Sequence, residues 1–315
     1  MNADVSSTNP DSRDAPSTGG GPLGARYLAF LGTITSLRPG LHRYCARMTG
    51  SVLDGEDVVQ EALFHAYQKL ETFDDTRPLA PWLFRIAHNR CIDFLRRRGI
   101  REQAESEAAA GKPDFAPPAE PVSPALDKAV EHVVLVLPPK ERACVLLKDV
   151  FDYSLEEIAE LVDSTIGGVK AALSRGRSKL AERPASIPSR RVQTSDEVAL
   201  LHLYVERFNQ RDWDGLRELI AADARLVVAD RFVGQLVDSP YFGNYEHMPV
   251  SWRMTAGQVD GEPAVIVQHA TAEGWTARAA VRLQVVDGRI VAIRDYWHCP
   301  WALSAAATVI ADQSR

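Results

Sequence analysis

The chain has 315 residues, 45% hydrophobic and 25% charged, the balance of a soluble globular protein with room for two or three domains. No apolar run approaches 18 residues and the polar start MNADVSSTNPDSRD lacks a signal-like apolar stretch, so neither a membrane span nor a secretory leader is expected. The net charge is −6, from 36 basic and 42 acidic residues, but the basic residues of the first 193 fall in two clusters, and that distribution says more than the total. Cys45, Cys91, Cys144 and Cys299 are scattered without a CxxC pair, which favours reduced, core-filling thiols in the cytoplasm and no metal site.

Residues 1–24 are rich in Ser, Pro, Gly and Asp and read as a disordered tail. A helical stretch follows to about Gly50, and a second helix begins near Asp54. Val59, Leu63, Ala66 and Leu70 form its buried stripe, leaving Asp57, Gln60, Glu61, His65 and Gln68 on a polar face. A third helix runs from about Ala80 to Arg98. Leu83, Ala87, Cys91 and Phe94 would be buried, with Arg85, Asn89, Asp93 and Arg96 opposite. Its end, IAHNRCIDFLRRR, holds four arginines and one aspartate, an unusual density in an acidic chain. Either it is a solvated helix end or it meets phosphate.

Residues 99–125 contain five prolines and five acids and read as a linker. A helical block spans about 126–183. Within it Ser154 and Glu157 form a capping box, the chain breaks near Val162–Thr165, and a second helix reaches Leu180. That second helix carries Lys170, Arg175, Arg177 and Lys179 and no acid, the pattern of a helix-turn-helix. Thr165, Gly168 and Ser174 join these cations as the candidate DNA-reading set, with phosphate-holding cations behind base-edge contacts. A helical hairpin with a solvated basic face is the plainer reading of the same residues. Gly168 and Gly176 should each cost about 1 kcal/mol of helix stability.

A joint follows at 184–194, and the remainder differs in kind. From Thr194 onward there are 11 arginines and 16 acids. This part opens with a helix (Val198, Leu201, Val205, Phe208), and VRLQVVDGRIVAIRDYW is the clearest hairpin, with Asp287-Gly288 suited to a type I′ turn.

DGEDVVQEALFHAYQKL, then APWLFRIAHNRCIDFLRRR, then LPPKERACVLLKDVFDYSLEEIAELVDSTIGGVKAALSRGRSKL resemble, in order and spacing, regions 2 and 4 of bacterial sigma factors of the extracytoplasmic-function type. The resemblance covers about residues 25–183. It implies a region 2 helical bundle at 25–98 and a region 4 helix-turn-helix at 126–183. It also implies binding to promoter DNA and to the RNA polymerase core through the β′ coiled coil and β flap. On that basis Arg85, Asn89, Arg90, Asp93, Arg96 and Arg97 would serve the minus-10 element, with Trp82 and Phe84 beside a base-capturing loop at 73–79. The helix-turn-helix would serve the minus-35 element, and Asp57, Gln60, Glu61, His65 and Gln68 would dock on polymerase. The recognition helix departs from the family pattern at Gly168 and Ala171-Ala172, which implies an altered or weaker minus-35 preference. Asp163 stands where a turn glycine is common.

Residues 195–303 loosely resemble SnoaL-like domains, an α+β cone, followed by a tail at 304–315. Such extensions modulate sigma activity, so a built-in regulator is implied. Trp252, His269 and Asp295 are candidates for a small-ligand pocket; packed core or a contact with the sigma domains is the other reading of the aromatic residues. No catalytic residue, cofactor or metal is expected. A stand-alone helix-turn-helix regulator and a cyclase fused to a DNA-binding front are the alternative functions.

Overall fold

The computed structural model describes residues 22–74, 76–109, 136–182, 194–306 and 308–312. Nearly all of the expected N-terminal tail, most of the linker and most of the joint lie outside these residues. The first unit has three helices, α1 (Pro22–Thr49), α2 (Val52–Gln68) and α3 (Leu79–Ala109). Ser51 caps α2, its side chain accepting from the Asp54 amide. Val59, Ala66, Leu70, Leu83, Ala87 and Cys91 are buried as their spacing predicts. Helix α3 does not stop at Arg98; it continues through Gly99 to Ala109, so part of the expected linker is helical.

The second unit comprises α4 (Pro139–Val145), α5 (Leu155–Leu161) and α6 (Ile166–Ala181). A π-helical turn at Leu146–Val150 extends α4. The Ser154–Glu157 capping box is present, and Thr165 caps α6 through Gly168 N. Asp163 occupies the turn at φ 50°, the left-handed conformation that aspartate tolerates better than most residues. Gly176 has a packing reason that outweighs its helix cost. A Cβ there would stand 2.9 Å from Val145 Cγ2, so glycine lets α6 approach α4.

These two units share one apolar core. The π turn delivers Phe151 and Tyr153 onto the first unit, with Phe151 5.9 Å from Tyr44 and 6.0 Å from Phe84 between ring centroids. Arg142, buried, donates to the Met48 carbonyl at the end of α1.

The C-terminal domain contains α7 (Ser195–Gln210), α8 (Trp213–Leu219) and α9 (Tyr241–Glu246). Its strands are β1 (Ile220–Val228), β2 (Phe232–Gln235), β3 (Trp252–Val259), β4 (Glu262–Thr271), β5 (Gly274–Val286), β6 (Arg289–Asp295) and β7 (Val309–Ala311). A short α10 (Pro300–Ser304) precedes β7. The sheet order is β2-β1-β6-β5-β4-β3-β7, with β1 and β6 parallel and the other pairs antiparallel. Residues of the expected tail therefore supply an edge strand. Helices α7 to α9 pack one face through Tyr204, Phe208, Leu216 and Tyr245. The overall architecture is thus multidomain, helical first and α+β last. Among the described residues, no helix is long and apolar enough to cross a membrane.

The β5–β6 hairpin positions two side chains that matter below. Asp287 and Gly288 have φ of 49° and 73°, as a type I′ turn requires. A bulge between Gln284 and Val285 then shifts the ladder by one residue, so Arg282 faces Arg294 across the strands. Without that bulge Arg282 would face Ile293 instead.

Candidate nucleic-acid and partner interfaces

On α3, Arg85, Asn89, Arg96 and Arg97 are exposed, whereas Arg90 and Asp93 are half-buried. Asp93 lies 3.9 Å from Arg90 and 3.2 Å from Arg96, one turn away on either side. It spaces two guanidinium groups along the helix. Arg97 reaches Glu61 of α2 at 3.5 Å. Trp82 is half-buried against Phe73, 4.6 Å between ring centroids, beside the loop at 73–79.

On α6 the cations divide into two groups. Lys170, Ser174 and Arg177, at spacings of four and three, share an exposed face. With Lys148, Leu155, Leu173 and Ser178 they line an open groove of about 550 Å³. Asp149 holds Arg177 in a two-point fork at 2.5 and 3.2 Å, which raises the guanidinium pKa. Arg175 and Lys179 instead both bind Glu141 of α4 at 2.8 Å. Hydrogen bonds from Lys179 and Arg175 hold that carboxyl below its usual range. Those two cations tie α6 to α4. Thr165 is engaged in its cap, and Gly168 packs close to Ser164. Lys148 comes from the π turn, and nothing in helical periodicity marks it.

The polar face of α2 is split. Glu61 and Gln68 are exposed and His65 is half-buried, but the face around Asp57 is covered by the C-terminal domain. The expectation of a wholly solvent-facing row is therefore corrected. The Arg282 guanidinium donates to Asp54 at 2.6 Å and lies 2.6 Å from Glu262 and 3.8 Å from Asp57. Arg294 pairs with Asp57 at 3.0 Å, and Tyr296 Oη donates to the same carboxylate at 3.0 Å. Glu56, fully buried, accepts from Trp301 Nε1 at 2.8 Å, from Gln60 and from Arg38. Arg38 also meets Asp230 at 2.9 Å and lies over the Trp301 ring. Beside these charges, Val52 and Leu53 pack on Ile266, Ala280 and Tyr296.

Electrostatics follow from burial and pairing. Burial raises the Asp57 pKa, opposed by Arg294 and Arg282. For Arg282, burial alone would lower the pKa, but Asp54, Tyr296, Glu262 and Asp57 lift it well above its usual value. Arg282 is thus compensated by acids from both sides of the junction, and Arg294 by Asp57 of α2. Sequence reasoning missed Arg38, Arg282, Arg294 and Trp301. The hairpin's alternation carried no signal for the two arginines, because the register that sets them opposite each other depends on the bulge.

Within the C-terminal domain, Asp295 is 1% exposed. Its Oδ2 accepts from Tyr245 at 2.6 Å and Tyr241 at 2.9 Å, and its Oδ1 from the Trp297 amide at 2.8 Å. Burial raises the Asp295 pKa against these three hydrogen bonds. Both oxygens are satisfied by the fold's own donors, the arrangement of a core anchor. Trp252 is buried, donating to the Tyr245 carbonyl at 2.9 Å, with the Arg211 guanidinium 3.6 Å from its ring centroid. His269 is its half-buried cross-strand partner. Tyr245 thereby links Trp252 to Asp295, while His269 stands apart.

Comparison with known proteins completes the picture. Residues 33–100 match the profile of Sigma-70 region 2 and residues 127–180 that of Sigma-70, region 4. The chain is 31% identical over 165 residues to the ECF RNA polymerase sigma factor SigW of Bacillus subtilis (strain 168), covering 49% of this chain and 88% of SigW. It is 32% identical over 240 residues to the ECF RNA polymerase sigma factor SigG of Mycobacterium tuberculosis (strain ATCC 25618 / H37Rv), covering 67% of this chain and 64% of SigG. Among solved structures, the extracytoplasmic function sigma factor SigJ of Mycobacterium tuberculosis aligns with 84% of this chain and 95% of its own, at 19% identity and a TM-score of 0.34.

Proposed function

The chain belongs to the ECF RNA polymerase sigma factors, and on that premise we propose how its surfaces divide the work of initiation. It is a transcription initiation factor that binds core RNA polymerase and promoter DNA, and its sigma relatives set it among transcription factors rather than enzymes. Arg85, Asn89, Arg96 and Arg97 of α3 engage the minus-10 element, with Arg90 and Asp93 ordering that row. Lys170, Ser174 and Arg177 of α6, helped by Lys148, engage the minus-35 element, while Arg175 and Lys179 keep α6 on α4. Glu61, His65 and Gln68 of α2, with Asp57 and Gln60 once they are uncovered, meet the β′ coiled coil, and the second unit meets the β flap. The C-terminal domain is a fused regulator, and the protein acts in the cytoplasm.

The supporting observation is that two exposed cationic rows lie on two different helices, α3 and α6, each with a paired acid holding its guanidinium in place. The test is transcription in vitro with bacterial core polymerase and full-length protein. Arg97→Ala should weaken promoter complexes and reduce the salt-dependence slope by about one unit, the share of one phosphate contact. Gln68→Ala, on the same open face of α2 and away from Arg97, should weaken polymerase binding and leave that slope alone. The same defect from both changes would show the division of roles to be wrong.

A further inference from the structure

The junction between α2 and the β5–β6 hairpin uses up the carboxylates of the first half of α2 and leaves Glu61 open. Asp54 is engaged by Arg282 and lies 3.7 Å from Arg98; Asp57 is engaged by Arg294, Tyr296 and Arg282. Their side chains are 11% and 13% exposed, against 51% for Glu61 one turn further along. Gln60 is turned inward as well, its amide donating to Glu56. No cation from another protein can reach Asp54 or Asp57 while the hairpin is docked.

We propose that the Arg282–Arg294 pair is an intramolecular competitor for the polymerase. The C-terminal domain and the polymerase take the same carboxylates of α2, and the polymerase groups that replace the two arginines are themselves cationic. This rests on the reading of α2 as the polymerase-binding face and adds to it what occupies that face beforehand.

Four features suit the hairpin to this task. Its contact is dominated by ion pairs, whose desolvation cost offsets most of their attraction, so it is specific without being strong. The apolar part is small, several of its members being alanines (Ala46, Ala229, Ala264, Ala280, Ala302). The far half of α2 stays open, so a polymerase surface can engage Glu61 and Gln68 first and then advance on the covered half. Arg282 and Arg294 also face each other across the ladder. Once α2 leaves, that like-charged pair keeps Glu262 as its nearby acid, which favours re-docking whenever polymerase is absent.

Amide hydrogen exchange on the full-length protein, with and without core polymerase, tests the competition. Polymerase should slow exchange across 54–68 and speed it at least ten-fold across 280–302. Protection of 54–68 with unchanged or slowed exchange at 280–302 would overturn the proposal while leaving α2 as the polymerase face. Absence of protection at 54–68 would overturn that reading, and the proposal with it. The double variant Arg282→Ala/Arg294→Ala should bind core polymerase at least ten-fold tighter; equal or weaker binding by a folded variant overturns the proposal. Should the variant not fold, the exchange measurement on the unaltered chain still decides.

Discussion

The first helical unit is held from two sides by contacts of opposite kinds. Toward the second unit it offers Tyr44 and Phe84, which meet Phe151 and Tyr153 in a continuous apolar core. Toward the C-terminal domain it offers Asp54, Asp57, Glu56 and Arg38, which meet Arg282, Arg294, the Trp301 ring nitrogen and Asp230. The apolar contact draws its strength from area removed from water and tolerates changes in detail. The ionic contact depends on each partner being present, because an unpaired buried charge is costly whereas the complete pair contributes little net. One junction sets how tightly the sigma units close on each other; the other sets which surface α2 shows.

The comparison can be broken most severely from the ionic side. Arg282→Ala leaves Asp54, Asp57 and Glu262 without their shared cation and should cost about 3 kcal/mol or more in thermal unfolding. Raised salt should narrow the gap between variant and wild type, since partly exposed pairs are screened. A loss below about 1 kcal/mol would mean that the contact is not a buried ion-pair network.

Acid probes the apolar side. His88 is buried 2.8 Å from Tyr44 Oη, and burial holds its pKa at about 4. Between pH 6.5 and 4 the unfolded chain binds a proton that the folded one refuses, so stability falls as pH falls through that window, by at most about 3 kcal/mol. His88→Gln should flatten the dependence in unfolding curves taken at pH 4.5 and 6.5; an equally steep curve would locate the titrating group elsewhere. The smallest effect belongs to Phe151→Ala. A half-buried ring should cost about 2 kcal/mol, less than the 3 to 5 of a fully buried one, with little sensitivity to salt.

The sequence by itself determined the local structure and the family. Ser154 with Glu157 specified a helix start, Asp287-Gly288 a type I′ turn, and the stripes of α2 and α3 the buried sides of the first unit, because these signals act within a few residues. It also separated an acidic, arginine-only C-terminal domain from the sigma units. What only the tertiary structure decided is which polar faces remain open. Periodicity tells which side of a helix faces its own core and is silent about a second domain laid over the other side. Asp57 therefore read as solvent-facing although Arg294 and Tyr296 cover it, and the pairing of Arg175 and Lys179 with Glu141 of α4 was also out of sight. The pairing of Arg282 with Arg294 was equally hidden, since one bulge residue shifts a strand's register without leaving a mark in the alternation that precedes it.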